Sequence, residues 1–131
     1  MRLTEEQRLL RDTAREFAQR ELAPHAAERD REAQFPAEAV AELGRLGFMG
    51  ITVPQKYGGA GADHVGYALV MEEIAAGEGA VSTILSVQNS VGCMPVLQYG
   101  SEEQKQRFLK PLARKKPAGG TAPAGPPSGG R

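Results

Sequence analysis

Apolar residues recur along this chain at helical rather than strand spacing. Leu10, Ala14 and Phe17 fall at i, i+4 and i+7 in an otherwise charged stretch, which predicts a helix with one buried stripe. Thr4-Glu5-Glu6-Gln7 ahead of it is a capping-box pattern. Pro24 is expected to end this helix near Leu22. The charged run from Ala26 to Ala33 adds another helical turn or two. Phe35-Pro36 opens the next helix, with Pro36 at N1, Val40, Leu43 and Leu46 on the inner face, and Gly47 as the residue that closes it.

The pattern breaks between Gly50 and Gly61, where β-branched residues, Pro54 and several glycines replace any helical period. An extended connection followed by a tight turn is expected there, with glycine allowing close backbone approach. Asp63 can cap a helix to about Ala76. A second apolar helix runs from about Ala80, is kinked or restarted at Pro95, and closes at Tyr99-Gly100. Both look apolar nearly all round, which predicts enclosure in a bundle. Ser101-Glu102-Glu103-Gln104 is a second capping box, opening a short helix through Phe108 and Leu109. The fold class expected is therefore all-α, a bundle of five or six helices, two of them central.

Composition adds a boundary. Residues 1–114 carry the helical pattern. Residues 115–131 are a low-complexity Gly/Pro/Ala tail in which nine of seventeen residues are Gly or Pro and none is Leu, Ile, Val or Phe. Such a stretch buries too little apolar surface to offset the entropy of ordering it. The chain has 16 basic and 16 acidic residues, and zero net charge argues against a nucleic-acid partner. The single Cys93 argues against a disulfide framework or a cysteine-built zinc site. No apolar run in the sequence approaches the ~18 residues that span a bilayer, so no membrane association is expected. An N-terminus without a signal-peptide pattern makes the expected location cytoplasmic.

Candidate chemistry is sparse. His25 and His64 lack metal-ligand spacing and suit surface or capping roles. Cys93, in an apolar helix, reads as a small buried hydrophobe. Glu72 and Glu73 point about 100° apart on a helix and cannot work as a facing pair, so one is expected to meet a basic partner and the other solvent. Gly59-Ala60-Gly61 lacks the third glycine and the βαβ setting of a dinucleotide fingerprint. Ile84, Val87, Val91 and Met94, with Thr83 beside them, form an apolar stripe at i, i+3, i+7 and i+10. That stripe suits a long, thin apolar ligand, and equally suits ordinary core packing.

Three segments carry a resemblance. Leu46 to Gly61 (LGFMGITVPQKYGGAG), Ser86-Val87-Gln88-Asn89-Ser90 followed by Pro95, and Tyr99-Gly100-Ser101-Glu102-Glu103-Gln104-Lys105 resemble, in order and spacing, the N-terminal domain of flavin-dependent acyl-CoA dehydrogenases. Short-chain, butyryl-type members are the nearest in kind. The resemblance covers residues 3 to 113. It implies a helical domain followed by a β domain and a C-terminal helical bundle, with FAD between the latter two. It also implies α,β-dehydrogenation of an acyl-CoA thioester, a glutamate base in the C-terminal bundle, and reoxidation by an electron-transferring flavoprotein. The helix bearing Thr83, Ile84, Val87 and Val91 would line the acyl-chain pocket, with Met94 joining by spacing alone.

The sequence departs from the family after Arg114, where the β domain would begin. The resemblance thus leaves this chain with no catalytic residue and no flavin-contacting residue, and FAD is expected not to be retained. A fragment or a shifted reading frame would account for the abrupt change of composition. Apolar surface uncovered on the central helices would favour homo-oligomers. A helical interaction module on the same scaffold is the alternative reading.

Overall fold

Thr4 caps the first helix as its sequence predicts. Its hydroxyl accepts from the Gln7 amide at 3.0 Å, and the Gln7 side chain accepts from the Thr4 N–H at 2.9 Å. The structure, a computed structural model, describes residues 2–114, so the proposed 115–131 tail lies outside the described residues. Within them the elements are α1 (Glu5–Phe17), α2 (Ala23–Glu32), α3 (Ala37–Arg45), α4 (His64–Gly77), α5 (Gly79–Val87), α6 (Met94–Tyr99), α7 (Glu102–Gln104) and α8 (Lys110–Arg114). Three π turns, Ala18–Leu22, Gln88–Cys93 and Lys105–Leu109, join α1 to α2, α5 to α6 and α7 to α8. The result is five helical rods with no strand among the described residues, the all-α bundle expected.

The π turns correct one expectation and explain it. Pro24 does not end the first helix, which runs on to Glu32. In an α-helix a proline ring collides with the carbonyl four residues back and leaves it without a donor. Here a widened turn precedes the ring, and the Ala23 amide reaches five residues back to the Ala18 carbonyl. Pro95 and Pro111 follow the same rule, each two residues beyond the end of a π turn.

The first rod and α4 run side by side in the same direction, and small residues let them approach closely. A Cβ on Gly66 would meet Leu10 and Ala62, and one on Gly77 would meet Ala18 at 2.9 Å. Polar ties mark the line of contact. Gln7 donates to Asp63 at 2.9 Å, Arg15 pairs with Glu73 at 2.8 Å, and Arg29 pairs with Glu78 at 2.6 Å. Glu73 thus has the basic partner foreseen for one of the adjacent glutamates, and Glu72 is exposed. Glu78 alone separates α4 from α5. It is buried, so the guanidinium of Arg29 compensates the carboxylate's lost hydration. Around this frame Phe17, Leu22, Leu43, Phe48, Ile74 and Leu85 form the main core.

The glycine-rich segment departs from expectation. It is not extended: 3₁₀ turns at Phe48–Gly50 and Gln55–Tyr57 coil it, and it folds back on itself. The Ala60, Gly61 and Ala62 amides donate to the carbonyls of Gly50, Val53 and Ile51 at 3.1, 2.8 and 2.9 Å. The close approach is real, since a Cβ on Gly59 would collide with the Val53 and Gly50 carbonyl oxygens.

Asn89 fastens this segment to the 79–99 helix. Its amide nitrogen donates to the Phe48 and Leu85 carbonyls at 3.0 and 2.9 Å, and its oxygen accepts from the Ile51 amide at 2.6 Å. The helix itself, Gly79–Tyr99, is 21 residues long and apolar enough to cross a membrane by length and composition. Yet Val81, Leu85, Gln88, Asn89 and Cys93 are buried against other elements of the domain, the arrangement of a core helix. The helix, expected to be mostly enclosed, leaves Val87 and Val91 exposed. Nor is α4 enclosed on every side: Ala68, Ala75 and Ala76 are exposed.

Two outcomes follow. Asn89→Ala removes the side-chain partners of the buried Ile51 amide and Phe48 carbonyl and should lower stability by about 2–4 kcal/mol, measurable by urea unfolding. Asp63 is held below the usual carboxylate range, first by the Gly66 amide and then by Gln7. Its contribution is present above the unfolded pKa and is lost as pH falls through the lower folded value. Urea midpoints should therefore drop on acidification below about pH 4. Asp63→Asn should flatten that acid limb.

Candidate apolar ligand face

The 79–99 helix presents two unlike sides. Inward lie Val81, Leu85, Gln88, Asn89 and Cys93. Outward, Thr83 is exposed, and Val87 and Val91 are 48% and 68% exposed. Hydroxyl groups along this side are turned back onto the helix. Thr83 Oγ1 donates to the Gly79 carbonyl at 3.2 Å and Ser90 Oγ to the Ser86 carbonyl at 2.6 Å. Bonded in this way, they make a weaker claim on an incoming ligand's polar groups, and the side reads as apolar.

The five residues singled out from the sequence are not all brought together. Thr83, Val87 and Val91 share the outward face. Ile84 is half-buried and packs against the main core. Met94 sits at the flank, where its sulfur accepts from Thr52 Oγ1 at 3.9 Å. Ile84 lies before the π turn and is turned inward by plain helical spacing, about 100° from Thr83, whereas the π turn at Gln88–Cys93 accounts for Met94. This turn holds one residue more than an α turn, so everything beyond it is rotated by about 100° from plain helical spacing. A spacing that counts from Ile84 to Met94 as if through an ideal helix does not allow for this.

Met94 instead lines a cleft of about 160 Å³ with Thr52, His64, Tyr67, Asn89 and Ser90. No spacing rule pointed to Thr52 or Tyr67, because they lie on separate elements, the coiled 50–61 segment and α4, which only tertiary packing brings to Met94. A larger groove, about 740 Å³, lies between the first rod and α3. Its arginines already face carboxylates: Arg20 pairs with Glu16 and Glu21, Arg29 with Glu78, and Arg45 with Glu42. That groove offers no uncompensated cation for an anionic ligand.

The remaining candidates take structural roles. Cys93 is fully buried, its thiol 3.6 Å from the Met49 carbonyl, and burial pushes its pKa up to about 11. A thiol so protonated is a poor nucleophile. His25 and His64 are exposed. Among the described residues no group of three or more His, Cys, Asp or Glu could hold a metal ion. The glycine loop does not fit a flavin pyrophosphate. The amides of Gly58, Gly59, Ala60 and Gly61 all donate to carbonyls of the same segment, leaving none to cradle a phosphate.

Comparison with known proteins identifies the class. The family model described as acyl-CoA dehydrogenase, N-terminal domain, matches residues 4–116, so the chain belongs to the acyl-CoA dehydrogenase family. It is similar to an acyl-CoA dehydrogenase of Bacillus subtilis (strain 168), 43% identical over 129 residues, covering 98% of this chain and 34% of that protein. Among solved structures it resembles butyryl-CoA dehydrogenase from Megasphaera elsdenii, with a TM-score of 0.79 and 36% identity over 87% of this chain and 30% of that one. It also resembles a glutaryl-CoA dehydrogenase from Mycobacterium smegmatis in complex with FADH2, with a TM-score of 0.77 and 36% identity over 86% of this chain and 29% of that one. The chain spans about a third of the length of these relatives.

Proposed function

We propose that this chain supplies the acyl-side wall of a flavin-dependent acyl-CoA dehydrogenase, acting in the conversion of an acyl-CoA thioester to its trans-2-enoyl-CoA. The observation that carries this reading is the exposure of Val87 and Val91 on a helix whose other side is core. Large apolar side chains left in water on an otherwise packed helix mark a surface that another group covers. An alkyl chain laid along Thr83, Val87 and Val91 would bury that surface at about 25 cal/mol per Å².

This chain's part is to bind and orient an acyl chain and to keep water from it. The remaining parts fall to groups that its described residues do not provide. In the reaction, a carboxylate base removes the α proton and FAD accepts hydride from the β carbon. Here Glu73 and Glu78 are tied to Arg15 and Arg29 rather than facing the apolar side. FAD, the acyl-CoA substrate and an electron-transferring flavoprotein are thus assigned to the complete enzyme. The chain by itself is read as catalytically inactive, and as self-associating through its uncovered apolar face.

Purified, the chain should be colourless, without flavin absorbance, and should not oxidise acyl-CoA. Residues 4–116 grafted in place of the same domain of a full-length relative should support dehydrogenation. In that chimera Val87→Phe should lower kcat/KM for longer acyl chains by roughly tenfold or more relative to short ones, since each excluded methylene forfeits about 0.8 kcal/mol. An unchanged chain-length profile would remove Val87 from the pocket wall.

A further inference from the structure

The 79–99 helix is covered on its inner side by the last described rod, residues 102–114. The first turn of this rod is capped from within its own sequence. The chain is extended at Gly100, and Ser101 and Gln104 form a reciprocal capping box at 3.2 and 2.9 Å. Its seat is a small core of its own. Leu109 and Ala113 are fully buried beside Val53, Tyr57 and Cys93, in a cluster separate from the main core. Polar ties across the seat include Tyr57 Oη donating to Glu102 at 2.7 Å and Gln88 Nε2 donating to the Leu112 carbonyl at 2.7 Å.

We propose that residues 101–114 are a strap that lifts as a unit at Gly100 while the main core stays folded, and that Cys93 is the group it uncovers. Lifting breaks the Tyr57–Glu102 and Gln88–Leu112 ties and opens the small cluster of Val53, Tyr57, Cys93, Leu109 and Ala113, while the larger cluster around Leu43, Ile74 and Leu85 keeps its packing. Regions with few buried contacts open with less free energy than the whole domain. The capping box satisfies the amides at the segment's first turn from within the segment itself, so these bonds survive lifting. The lifted state exposes the Gln88 and Cys93 part of the inner side of the same helix whose outer side carries Val87 and Val91. Seating the strap therefore also fixes the roll of that helix about its axis.

The test is the reaction rate of Cys93, the single thiol, with an excess of a chromogenic disulfide reagent, in buffer without denaturant, on the full 131-residue chain. Leu109→Ala, which loosens the seat, should speed labelling by roughly tenfold or more. Tyr57→Phe, which removes one tie, should speed it roughly threefold. Ile74→Val weakens the main core without touching the strap and should leave the rate unchanged within about twofold. If Ile74→Val accelerates labelling as much as Tyr57→Phe does, the thiol is uncovered by global unfolding and the strap is refuted. An unchanged rate in Tyr57→Phe refutes it equally, and that variant decides the matter should Leu109→Ala fail to fold.

Discussion

Asn89 is the constraint on which the arrangement turns. One buried amide satisfies the Phe48 carbonyl, the Leu85 carbonyl and the Ile51 amide at once. Two of these groups belong to a segment with no regular ladder to satisfy them, and the third, the Leu85 carbonyl, also accepts from the Gln88 amide of its own helix. A buried backbone group without a partner costs about 1–3 kcal/mol, so the costs for the Ile51 amide and the Phe48 carbonyl converge on this side chain. An apolar residue here would remove both of these ties. The clamp also sets where the coiled segment lies against the 79–99 helix, and so shapes the cleft around Met94.

From that attachment the two-sided character of the helix follows. Its inner side is committed twice, to the coiled segment through Asn89 and to the last rod through Gln88 and Cys93. Only the outer side is left for another purpose, and valines rather than charged residues occupy it. The family relationship gives this a context, since about two-thirds of each compared relative lies outside the matched part.

Most of the fold was legible in the sequence where local chemistry decides it. Both capping boxes, the Asp63 cap and the left-handed Gly47 are where residue type alone places them, because each satisfies a helix end from within a few residues. Pro24 was misleading, because the rule that proline stops a helix assumes an α turn before it. The 50–61 segment looked extended because its β-branched residues suit strands, and the long-range bond from Ile51 to Asn89 has no local signature. Of the candidate site, Thr83, Val87 and Val91 could be read from spacing because they lie on one side before or early in the π turn. Thr52 and Tyr67 could not, since tertiary packing alone brings them to Met94.

The pairing of each π turn with a proline two residues beyond it carries a consequence for how such sequences vary. A π turn is one inserted residue held inside a helix, so losing a single codon within 88–93 would restore an ordinary turn. The Pro95 ring would then press on the carbonyl behind it, and the side chains downstream would swing around the axis, trading inner for outer positions. Natural variants of this helix should therefore tolerate substitution at 87 and 91 more readily than any change in length between 88 and 93.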